Sequence, residues 1–343
     1  MTTSSVNGFA AMAVKQPLVP FAYDPPKLGD HDVRLEITHC GLCHTDIHAI
    51  DNYYAITTYP FVPGHEIVGK VTEMGSRVTE VKAGDRLGAG WQGRSCGECE
   101  WCLKGEEQLC RKIVSSATWK PYGGFSTSVV VDARFAYPLP KNMPSEVGAV
   151  LMCAGATVYK PLKKYRTEAP QRIGIIGVGG LGHLALQFAR ALGYEVTAIS
   201  SSPEKEAEAF KFGAHKFLLS SDKAGMEAEE YGFDFHLCTV SGCEQWVPLL
   251  DTLKKRGKLI LAGFPDLNFN STDLVAHELS IESTFLTNRA TMREMLTFAQ
   301  EHQINPRIEL MPMAKVNEAL GKLRANQARY RIVLVNESPV IFL

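Results

Sequence analysis

Short segments in which apolar and polar residues alternate run through the first 150 residues of the chain. Alternation with a period of two is typical of a strand with one buried face, and it is clearest at 33–37 and 67–71. Further strands are predicted at 128–131 and in a proline-flanked segment at 135–139. Helical periodicity is scarce here, and glycine and proline interrupt the segments. This part of the sequence is therefore predicted to be mainly β.

The pattern changes after Cys153, where short apolar segments begin to alternate with segments of helical period. The predicted strands are 172–176, 195–199, 216–220, 234–240 and 258–262. Helices are predicted between them, at 183–192 and 203–212. Strands that alternate with helices are typical of a parallel sheet with helices on both faces. The predicted fold class is therefore α/β, with a doubly wound parallel sheet joined to a mainly β part.

The C-terminal tail carries a helical pattern at 292–302, another near 315–324 and a last strand at 331–335. We expect this tail to return to the first domain. A chain of 343 residues has room for about two domains, each with its own core. The predicted domains are 1–153 together with 292–343, and 154–291.

Composition narrows the range of functions. Hydrophobic residues make up 45% of the chain and charged residues 21%, which is ordinary for a globular protein. A formal net charge of −1 gives no basis for a nucleic acid or an anionic membrane as partner. No apolar run approaches the roughly 20 residues that cross a bilayer, and residues 1–13 lack the basic and apolar regions of a secretory signal. We therefore expect a cytoplasmic protein, whose thiols stay reduced.

Four of the nine cysteines form a cluster with the spacing C-x2-C-x2-C-x7-C. They are Cys96, Cys99, Cys102 and Cys110. This spacing lets four thiolates converge on one tetrahedral zinc ion. Such a site is coordinatively full, so its predicted role is to hold a loop together. An iron–sulfur cluster and unbound thiols are the alternatives.

A second group of candidate ligands is dispersed along the chain. Cys43 belongs to a C-x-x-C-H sequence, which also occurs at haem attachment sites and in redox pairs. The missing signal sequence and the β-rich context favour a single metal ligand instead. His65 lies beside Glu66 in a glycine-containing turn, and Cys153 stands alone. Each of these residues is by itself weak evidence for a metal site. A dinucleotide-binding segment elsewhere in the chain strengthens the interpretation of all three as ligands. A catalytic zinc ion needs three protein ligands and one open position.

That segment is rich in glycine and lies between a predicted strand and a predicted helix. It consists of Gly177, Val178, Gly179, Gly180, Leu181 and Gly182. Glycines permit a tight turn and let the backbone approach a pyrophosphate, which then meets the N-terminus of the following helix. The context therefore predicts that this loop binds a dinucleotide.

The end of the next predicted strand indicates which dinucleotide is bound. NAD sites usually place Asp or Glu here to bind the ribose 2′-hydroxyl, whereas this chain has Ser200, Ser201 and Lys205. Hydroxyls and a lysine suit a 2′-phosphate, so NADP(H) is favoured over NAD(H). Glu204 is the objection to this interpretation. Glu204 lies at the start of a predicted helix, where a negative charge is favourable, and this position explains its presence.

The sequence also carries six motifs in a fixed order. They are CGLCHTDIH at 40–48, PGHE at 63–66, the four-cysteine cluster, LMCAG at 151–155, GVGGLG at 177–182 and YRIV at 330–333. Together they resemble the zinc-dependent medium-chain alcohol dehydrogenases, most closely the cinnamyl-alcohol-dehydrogenase-like branch, over almost the whole chain. The resemblance implies a GroES-like catalytic domain with both zinc sites, a Rossmann NADP-binding domain, and a homodimer.

The resemblance also implies the ligands of a catalytic zinc ion. Cys43, His65 and Cys153 would bind this ion. Glu66 would lie close to it, and Cys40 would be a neighbour that is not a ligand.

Other matching residues would act around the ion and the cofactor. Asp46 would orient the ligating imidazole. Thr45 would accept the proton of the substrate hydroxyl, and His48 would help to relay it to solvent. Thr157 matches a residue close to the nicotinamide. Tyr54 lies where relatives of the yeast type carry a bulky aromatic residue, for which packing and pocket lining are both open interpretations.

The implied activity is reversible hydride transfer between NADP(H) and a small-molecule substrate, a primary alcohol or aldehyde that is aliphatic or aromatic. Two zinc ions per chain are expected, one catalytic and one structural. The alternative is an NADPH-dependent alkene reductase that uses only the structural zinc. The joint presence of Cys43, His65 and Cys153 argues against that alternative.

Overall fold

The computed structural model describes residues 5–115, 122–242 and 245–336. The chain divides into two compact units. The first unit consists of Met1–Cys153, Thr287–Glu301 and Pro306–Leu343. The second consists of Ala154–Leu286 and His302–Asn305.

The strands of the described residues are numbered here in chain order. They are β1 (Val6–Ala11), β2 (Leu18–Tyr23), β3 (Asp32–Gly41), β4 (Glu66–Met74), β5 (Arg86–Ala89), β6 (Gln92–Arg94), β7 (Val114–Ser115), β8 (Ser128–Asp132), β9 (Ala136–Pro138), β10 (Arg172–Ile176), β11 (Glu195–Ser200), β12 (Lys216–Leu219), β13 (Phe233–Cys238), β14 (Leu253–Leu261), β15 (Ser280–Ser283), β16 (Ile308–Pro312) and β17 (Arg331–Val335).

The α-helices of the described residues are numbered in the same way. They are α1 (His44–Ile50), α2 (Glu100–Leu103), α3 (Ser145–Val150), α4 (Ala156–Lys164), α5 (Gly182–Ala191), α6 (Glu206–Lys211), α7 (Lys223–Ala228), α8 (Trp246–Asp251), α9 (Ser271–Val275), α10 (Arg289–Glu301) and α11 (Val316–Arg324). Within this described part of the chain, each helix is too short or too polar to cross a lipid bilayer.

The main sheet of the first unit has the strand order β16-β17-β3-β4-β5-β9, and β8 pairs with β3. The alternation at the start of β3 predicts one buried face, and its apolar residues Val33, Leu35 and Ile37 are all buried. Strand β17 pairs antiparallel with β3, and Leu334 lies opposite Cys40. The C-terminal tail thus completes a sheet that the N-terminal part begins.

The described residues of the second unit form a parallel sheet with the order β12-β11-β10-β13-β14-β15. The predicted α/β class with a doubly wound parallel sheet is therefore confirmed. Strands β11 and β13 lie on either side of β10, so the strand order reverses at β10. Ligands of such sheets bind beyond the carboxyl ends of the strands at this reversal. In this chain the glycine-rich loop follows β10 at that point.

The pattern of apolar and polar residues does not predict the helices around Cys153. Helix α3 is followed by a π-helical turn, Leu151–Gly155, and then by α4. Residues 147–156 are buried throughout, so they are apolar on every side and show no helical period. Cys153 lies inside the π-helical turn, a local irregularity that is frequent at functional sites.

Candidate metal centres and cofactor site

The four-cysteine cluster forms a compact lobe between β6 and β7. Helix α2 and a short 3-10 turn at Glu107–Leu109 fold the segment so that all four sulfurs lie within 4.8 Å of one another. Sγ of Cys96 lies 3.5 Å from Sγ of Cys110 and 3.9 Å from Sγ of Cys102. A tetrahedral ion with Zn–S bonds of about 2.3 Å would place its sulfurs roughly 3.8 Å apart. The sulfurs therefore fit one zinc ion, whereas an iron–sulfur cluster would spread them over several irons.

Backbone N–H groups of the lobe point at the sulfurs. The N–H of Cys99 donates to Sγ of Cys96 at 3.4 Å, and the N–H of Lys112 donates to Sγ of Cys110 at 3.3 Å. Donation by the N–H groups of Glu98 and Cys99 lowers the pKa of Cys96 to about 6, while burial raises the pKa of Cys110 to about 11. N–H donors stabilise a thiolate, which is the form that binds a metal.

The first unit also brings together the dispersed candidates. One ligand atom each of Cys43, His65, Glu66 and Cys153 lies within 4.8 Å of the others. Cys43 directly precedes α1, and His65 directly precedes β4, whose first residue is Glu66. Cys153 lies in the π-helical turn. All but Cys43 are buried. Three distant segments thus converge on one point, where Cys43 is the half-buried member of the set.

Asp46 connects the loops that carry these ligands. Its side chain is fully buried, and Oδ2 accepts a hydrogen bond from the N–H of Cys43 at 3.0 Å. Oδ1 accepts from the N–H of Gly64 at 3.0 Å and from Nδ1 of His65 at 2.9 Å. Since Nδ1 must carry the proton of that bond, Nε2 of His65 is left as the ligand atom.

Nε2 of His65 is the atom that most clearly fits a metal. It is buried and has no hydrogen-bond partner among the described residues. Burial alone lowers the pKa of His65, but the carboxylate of Asp46 outweighs burial and raises it well above the usual range. A buried polar nitrogen without a partner is costly. A cation bound at Nε2 would remove this cost.

Glu66 forms a buried ion pair with Arg331 of β17. The two residues lie on strands on either side of β3, and they meet beside Gly41. A β-carbon at Gly41 would overlap Oε2 of Glu66, so glycine is required there. Burial raises the pKa of Glu66, and the guanidinium of Arg331 opposes that rise. Oε2 is buried without a partner among the described residues.

The thiols of Cys43 and Cys153 contact each other, whereas the thiol of the nearby Cys40 does not join them. Sγ of Cys43 shares a hydrogen bond with Cys153, which holds the pKa of Cys43 well below its usual range. The same bond, together with burial, raises the pKa of Cys153. Cys40 is buried, its pKa is raised well above the usual range by that burial, and its Sγ contacts the carbonyl of Gly41 at 3.8 Å. The geometry thus separates Cys40 from the four converging donors.

Thr45 and His48 lie three residues apart on α1, so their side chains share one face of the helix. Oγ1 of Thr45 lies 3.7 Å from Sγ of Cys43. Nδ1 of His48 lies 3.3 Å from the hydroxyl of Tyr54. A hydroxyl next to the thiol of Cys43 and a half-buried imidazole on the same helix can exchange protons with a ligand bound there.

The glycine-rich loop of the second unit has the shape of a pyrophosphate cradle. Gly177 adopts a φ of +92°, a conformation that favours glycine. A β-carbon at Gly182 would overlap the carbonyl oxygen of Gly177, because α5 begins against β10. A β-carbon at Gly179 would meet no described atom within 4 Å. These three positions fit a turn, a close helix–strand contact and an open approach for a phosphate.

His183 fixes one peptide of that loop. Nδ1 of the buried His183 donates to the carbonyl oxygen of Gly179 at 2.9 Å, and its backbone N–H donates to the same oxygen at 3.1 Å. In a trans peptide the following N–H points away from the carbonyl. The N–H of Gly180 therefore points away from α5. In that direction it can donate to an anion that lies beyond the N-terminus of the helix.

The candidate 2′-phosphate residues follow β11. Ser200 is the last residue of the strand and is buried, whereas Ser201 is exposed. Lys205 ends a short 3-10 turn, Pro203–Lys205, in which Glu204 is exposed. Thr157 lies in the first turn of α4 and is half-buried. No carboxylate therefore ends β11 to compete for a ribose hydroxyl.

Sequence reasoning missed two residues of these sites. Arg331 was part of a quoted motif without a role, although a charged residue in an otherwise apolar strand is a usable signal. His183 was given no role, although it directly follows the glycine-rich loop. Arg331 acts through a contact with the distant Glu66, which local sequence does not encode. His183 contacts the carbonyl of Gly179, only four residues earlier, so its position after the loop was a usable signal.

Known families match both units of the chain. Residues 29–141 match the alcohol dehydrogenase GroES-like domain, and residues 180–301 match the zinc-binding dehydrogenase family. An 8-hydroxygeraniol dehydrogenase from Catharanthus roseus is 41% identical over 337 residues, which are 95% of this chain and 94% of the relative.

Two solved structures are similar over nearly their whole length. A cinnamyl alcohol dehydrogenase from Sorghum bicolor superposes with a TM-score of 0.93 at 37% identity, covering 98% of this chain and 100% of that chain. A CAD from Helicobacter pylori, solved in complex with NADP(H), superposes with a TM-score of 0.89 at 29% identity, covering 96% and 98%.

A GroES-like domain joined to a doubly wound dinucleotide-type domain, with two clusters of metal-ligating side chains, defines the class of zinc-binding dehydrogenases. Within that class, the chain belongs to the medium-chain alcohol dehydrogenases, in their cinnamyl-alcohol-dehydrogenase-like branch. The fold and the family that the sequence motifs predict are therefore confirmed.

Proposed function

We propose that the protein is an NADP(H)-dependent zinc alcohol dehydrogenase and aldehyde reductase. It would transfer hydride reversibly between the cofactor and a small primary alcohol or aldehyde, aliphatic or aromatic. The observation that carries this proposal is the convergence of two thiols, an imidazole and a carboxylate within 4.8 Å in a protein of the alcohol dehydrogenase family. The donor set Cys2His is the one that alcohol dehydrogenase uses for catalytic zinc.

Cys43, His65 and Cys153 would hold the catalytic zinc ion, and Glu66 would stand beside it. Zinc bound there would supply a Lewis acid that stabilises negative charge on the substrate oxygen. Two thiolates and a neutral imidazole balance the charge of Zn²⁺, while Asp46 keeps Nε2 of His65 free for the metal. The four-cysteine lobe would hold the second, structural ion.

The proton of the alcohol would leave through residues of α1. Thr45 would accept it at Oγ1, which lies beside the thiol of Cys43. His48 is half-buried, so its imidazole can pass a proton on to solvent. In aldehyde reduction the same residues would deliver a proton in the opposite direction.

The second unit would bind NADP(H), which supplies the hydride chemistry. The N–H groups of the loop from Gly177 to Gly182 would bind the pyrophosphate, and Thr157 would lie near the nicotinamide. Ser200, Ser201 and Lys205 would bind the 2′-phosphate. The exposed Ser201 and the half-buried Lys205 after β11, and the NADP(H) complex of the Helicobacter pylori relative, support NADP(H) over NAD(H).

Reversing the charge of Lys205 is expected to change the cofactor preference. Lys205→Glu should raise the Kd for NADPH about 10- to 100-fold, because a charge-assisted hydrogen bond is worth about 1.5–3 kcal/mol. The Kd for NADH should change little. Titration of the coenzyme fluorescence measures both constants.

The matched control is Lys211→Glu, which makes the same charge change at the exposed end of α6. It should leave both constants within about twofold, because a solvent-exposed charge acts weakly over distance. Equal losses of NADPH affinity in the two variants would contradict the role of Lys205.

The activity itself is tested by metal analysis and a panel of aldehydes. We expect two zinc ions per chain and reduction of aldehydes such as hexanal and cinnamaldehyde with NADPH in preference to NADH. One zinc ion per chain, together with reduction of a conjugated alkene but not of an aldehyde, would support the alternative alkene reductase. Absence of turnover on the whole panel would refute both enzymatic proposals.

We also propose that the protein forms a homodimer through the second unit. Strand β15 is an edge of the parallel sheet, and exposed edges are open to pairing with another chain. Phe264, Val275 and Phe285 are exposed apolar side chains of the same unit. Light scattering should give a molar mass of about twice that of one chain, and a monomer at micromolar concentration would refute the proposal.

A further inference from the structure

The loop that carries His65 is held by a second stretch of backbone. Three successive N–H groups at 123–125 donate to three carbonyl oxygens at 62–64, each at a distance of 2.8 Å. The donor–acceptor pairs are Gly123 with Val62, Gly124 with Gly64, and Phe125 with Pro63. All six residues are buried. We call residues 122–126 the strap, because their backbone lies across the loop and bonds to it.

The strap is itself anchored to strands of the same unit. The N–H of Phe9, in β1, donates to the carbonyl oxygen of Phe125 at 2.9 Å. Nδ2 of Asn336, directly after β17, donates to the carbonyl oxygen of Ser126 at 2.9 Å. Oγ of Ser126 donates to the carbonyl oxygen of Gly123 at 2.9 Å, which closes the strap on itself. The sheet of the first unit therefore sets the position of the strap.

Two neighbouring glycines allow the strap to approach the loop. A β-carbon at Gly123 would lie 2.6 Å from the carbonyl oxygen of Gly64. A β-carbon at Gly124 would lie 2.5 Å from Cγ1 of Ile67 and 2.8 Å from Sγ of Cys40. Carbon atoms in contact lie about 3.5–4.0 Å apart, so the β-carbon at Gly124 would be roughly 1 Å too close. A side chain at either position would separate the strap from the loop.

The surface under Gly124 belongs to the centre of the main sheet. Cys40 and Ile67 lie opposite each other in the antiparallel pair of β3 and β4. Both side chains are fully buried, and both strands have partners on either side. A side chain added at Gly124 would therefore displace the strap and not the sheet. Cys40, which is not among the converging ligands, thus has a contact of its own as the support of the strap.

The strap fixes the peptide that precedes the candidate ligand His65. The carbonyl of Gly64 shares one planar peptide with the nitrogen and Cα of His65, and the N–H of Gly124 holds that carbonyl. Oδ1 of Asp46 accepts from the N–H of Gly64 and from Nδ1 of His65. The residue is thus held at its backbone by the strap and at its ring by Asp46. Nε2 is left in a fixed place.

We propose that Gly124 is a positioning residue for the catalytic zinc ion, which acts through the strap and the peptide before His65. The inference rests on the proposed function and deepens it. Gly124 touches neither the ion nor the substrate. The close approach that glycine permits sets the affinity of the catalytic site for zinc. The ion of the four-cysteine lobe, whose ligands lie at 96–110, does not depend on the strap.

The affinities of the two zinc sites test this proposal directly. Gly124→Ala should raise the Kd of the catalytic site for zinc about 10- to 100-fold, the range found when a partner that orients a ligand is lost. The Kd of the structural site should stay within about twofold. Competition with a zinc-binding dye of known affinity measures both constants. Two unchanged constants, or an equal rise of both, would overturn the proposal.

A double variant shows which ion responds. Cys153→Ser should retain only the structural ion, so its remaining Kd belongs to the four-cysteine lobe. Adding Gly124→Ala to Cys153→Ser should leave that ion bound with the same Kd. Release of the ion in the double variant would show that the alanine disturbs the whole unit, and the assigned role of Gly124 would then be wrong.

Gly75→Ala is the matched control. A β-carbon at Gly75 would lie 2.1 Å from the carbonyl oxygen of Gly29, so this variant also forces an overlap in the first unit. Gly75 directly follows β4, a strand of nine residues that begins after His65, and it is therefore about 30 Å from the loop. The variant should lower the unfolding temperature and leave both zinc constants within about twofold. Weaker catalytic zinc in both variants alike would show that destabilisation is the cause.

Ser126→Ala weakens the strap without adding an atom, so it does not depend on whether Gly124→Ala folds. It removes the bond to the carbonyl of Gly123. The Kd of the catalytic site should rise about fivefold, the effect of one typical hydrogen bond, while the Kd of the structural site should not change. An unchanged catalytic Kd in Ser126→Ala would contradict the strap.

Hydrogen exchange separates failure of this inference from failure of the proposed function. The amides of 62–65, followed by mass spectrometry, should exchange faster in Gly124→Ala and in Ser126→Ala than in the natural protein, and at the natural rate in Gly75→Ala. This readout needs no turnover. Unchanged exchange in the first two variants would overturn the strap even in an active enzyme. Absence of alcohol oxidation by the natural protein would instead refute the proposed function.

Discussion

Replacing Cys153 with serine is expected to lower turnover by about 1000-fold or more and to leave NADPH binding intact. Cys153 supplies one of the converging ligand atoms of the proposed catalytic centre, and a serine hydroxyl is a poor substitute for a thiolate that binds zinc. Losing a Lewis acid forfeits several kcal/mol of transition-state stabilisation, and each 1.36 kcal/mol is a factor of ten in rate. Single-turnover kinetics, metal analysis and NADPH titration measure the three quantities.

Cys40→Ser is the matched control for that variant. Cys40 is also a buried cysteine of the first unit, and its Sγ contacts a backbone carbonyl instead of the other ligand atoms. This variant should retain two zinc ions per chain and most of its turnover. Full turnover by Cys153→Ser with one zinc ion per chain would show that the proposed mechanism is wrong.

Replacing Cys110 with serine is expected to have the largest effect on stability. Cys110 is the buried member of the four-cysteine lobe, and loss of a structural metal belongs to the changes that destabilise a protein by more than about 4 kcal/mol. One zinc ion per chain should be lost, and thermal unfolding should begin at a lower temperature. Calorimetry and metal analysis on the same sample test both expectations.

Cys238→Ser controls for the substitution itself. Cys238 is equally buried, in β13 of the second unit, and its Sγ contacts the carbonyl of Val240 at 3.8 Å. It should keep both zinc ions and destabilise the protein far less than Cys110→Ser. If the two variants unfold alike and both keep two ions, the four-cysteine lobe holds no structural zinc.

The Arg289–Glu107 ion pair shows how the lobe is tied to the rest of its unit. Nε of Arg289 lies 2.6 Å from Oε1 of Glu107, whose side chain is buried. Arg289 begins α10, so the lobe is bonded to a helix that is distant in sequence. Loss of metal from the lobe would therefore loosen a half-buried ion pair, which adds to the expected destabilisation.

Local patterns by themselves determined much of the fold. Strand β10 has the predicted bounds, because five apolar-rich residues followed by a glycine turn are a strong local signal. The four-cysteine lobe and the glycine-rich loop are also local, since all their functional atoms come from one short segment. In such cases spacing along the chain largely determines spacing in space.

Only the tertiary structure decided how the dispersed residues meet. Cys43, His65 and Cys153 converge because β4, the N-terminus of α1 and a π-helical turn end near one point. No local pattern encodes that convergence, and the family motifs supplied the expectation instead. The contact between Glu66 and Arg331 likewise depends on the pairing of β17 with β3, which joins strands almost 300 residues apart.

The role of Tyr54 was open in the sequence for the same reason. Its aromatic ring was compatible with packing or with pocket lining, because ring chemistry does not specify which neighbour the hydroxyl contacts. The hydroxyl lies 3.3 Å from Nδ1 of His48. The turn after α1 sets this contact through the left-handed residues Asn52 and Ala55 and the bonds of Thr57. The sequence thus determined which residues can perform the chemistry, whereas long-range strand pairing and turn geometry decided which of them touch, since contact energies act across space and not along the chain.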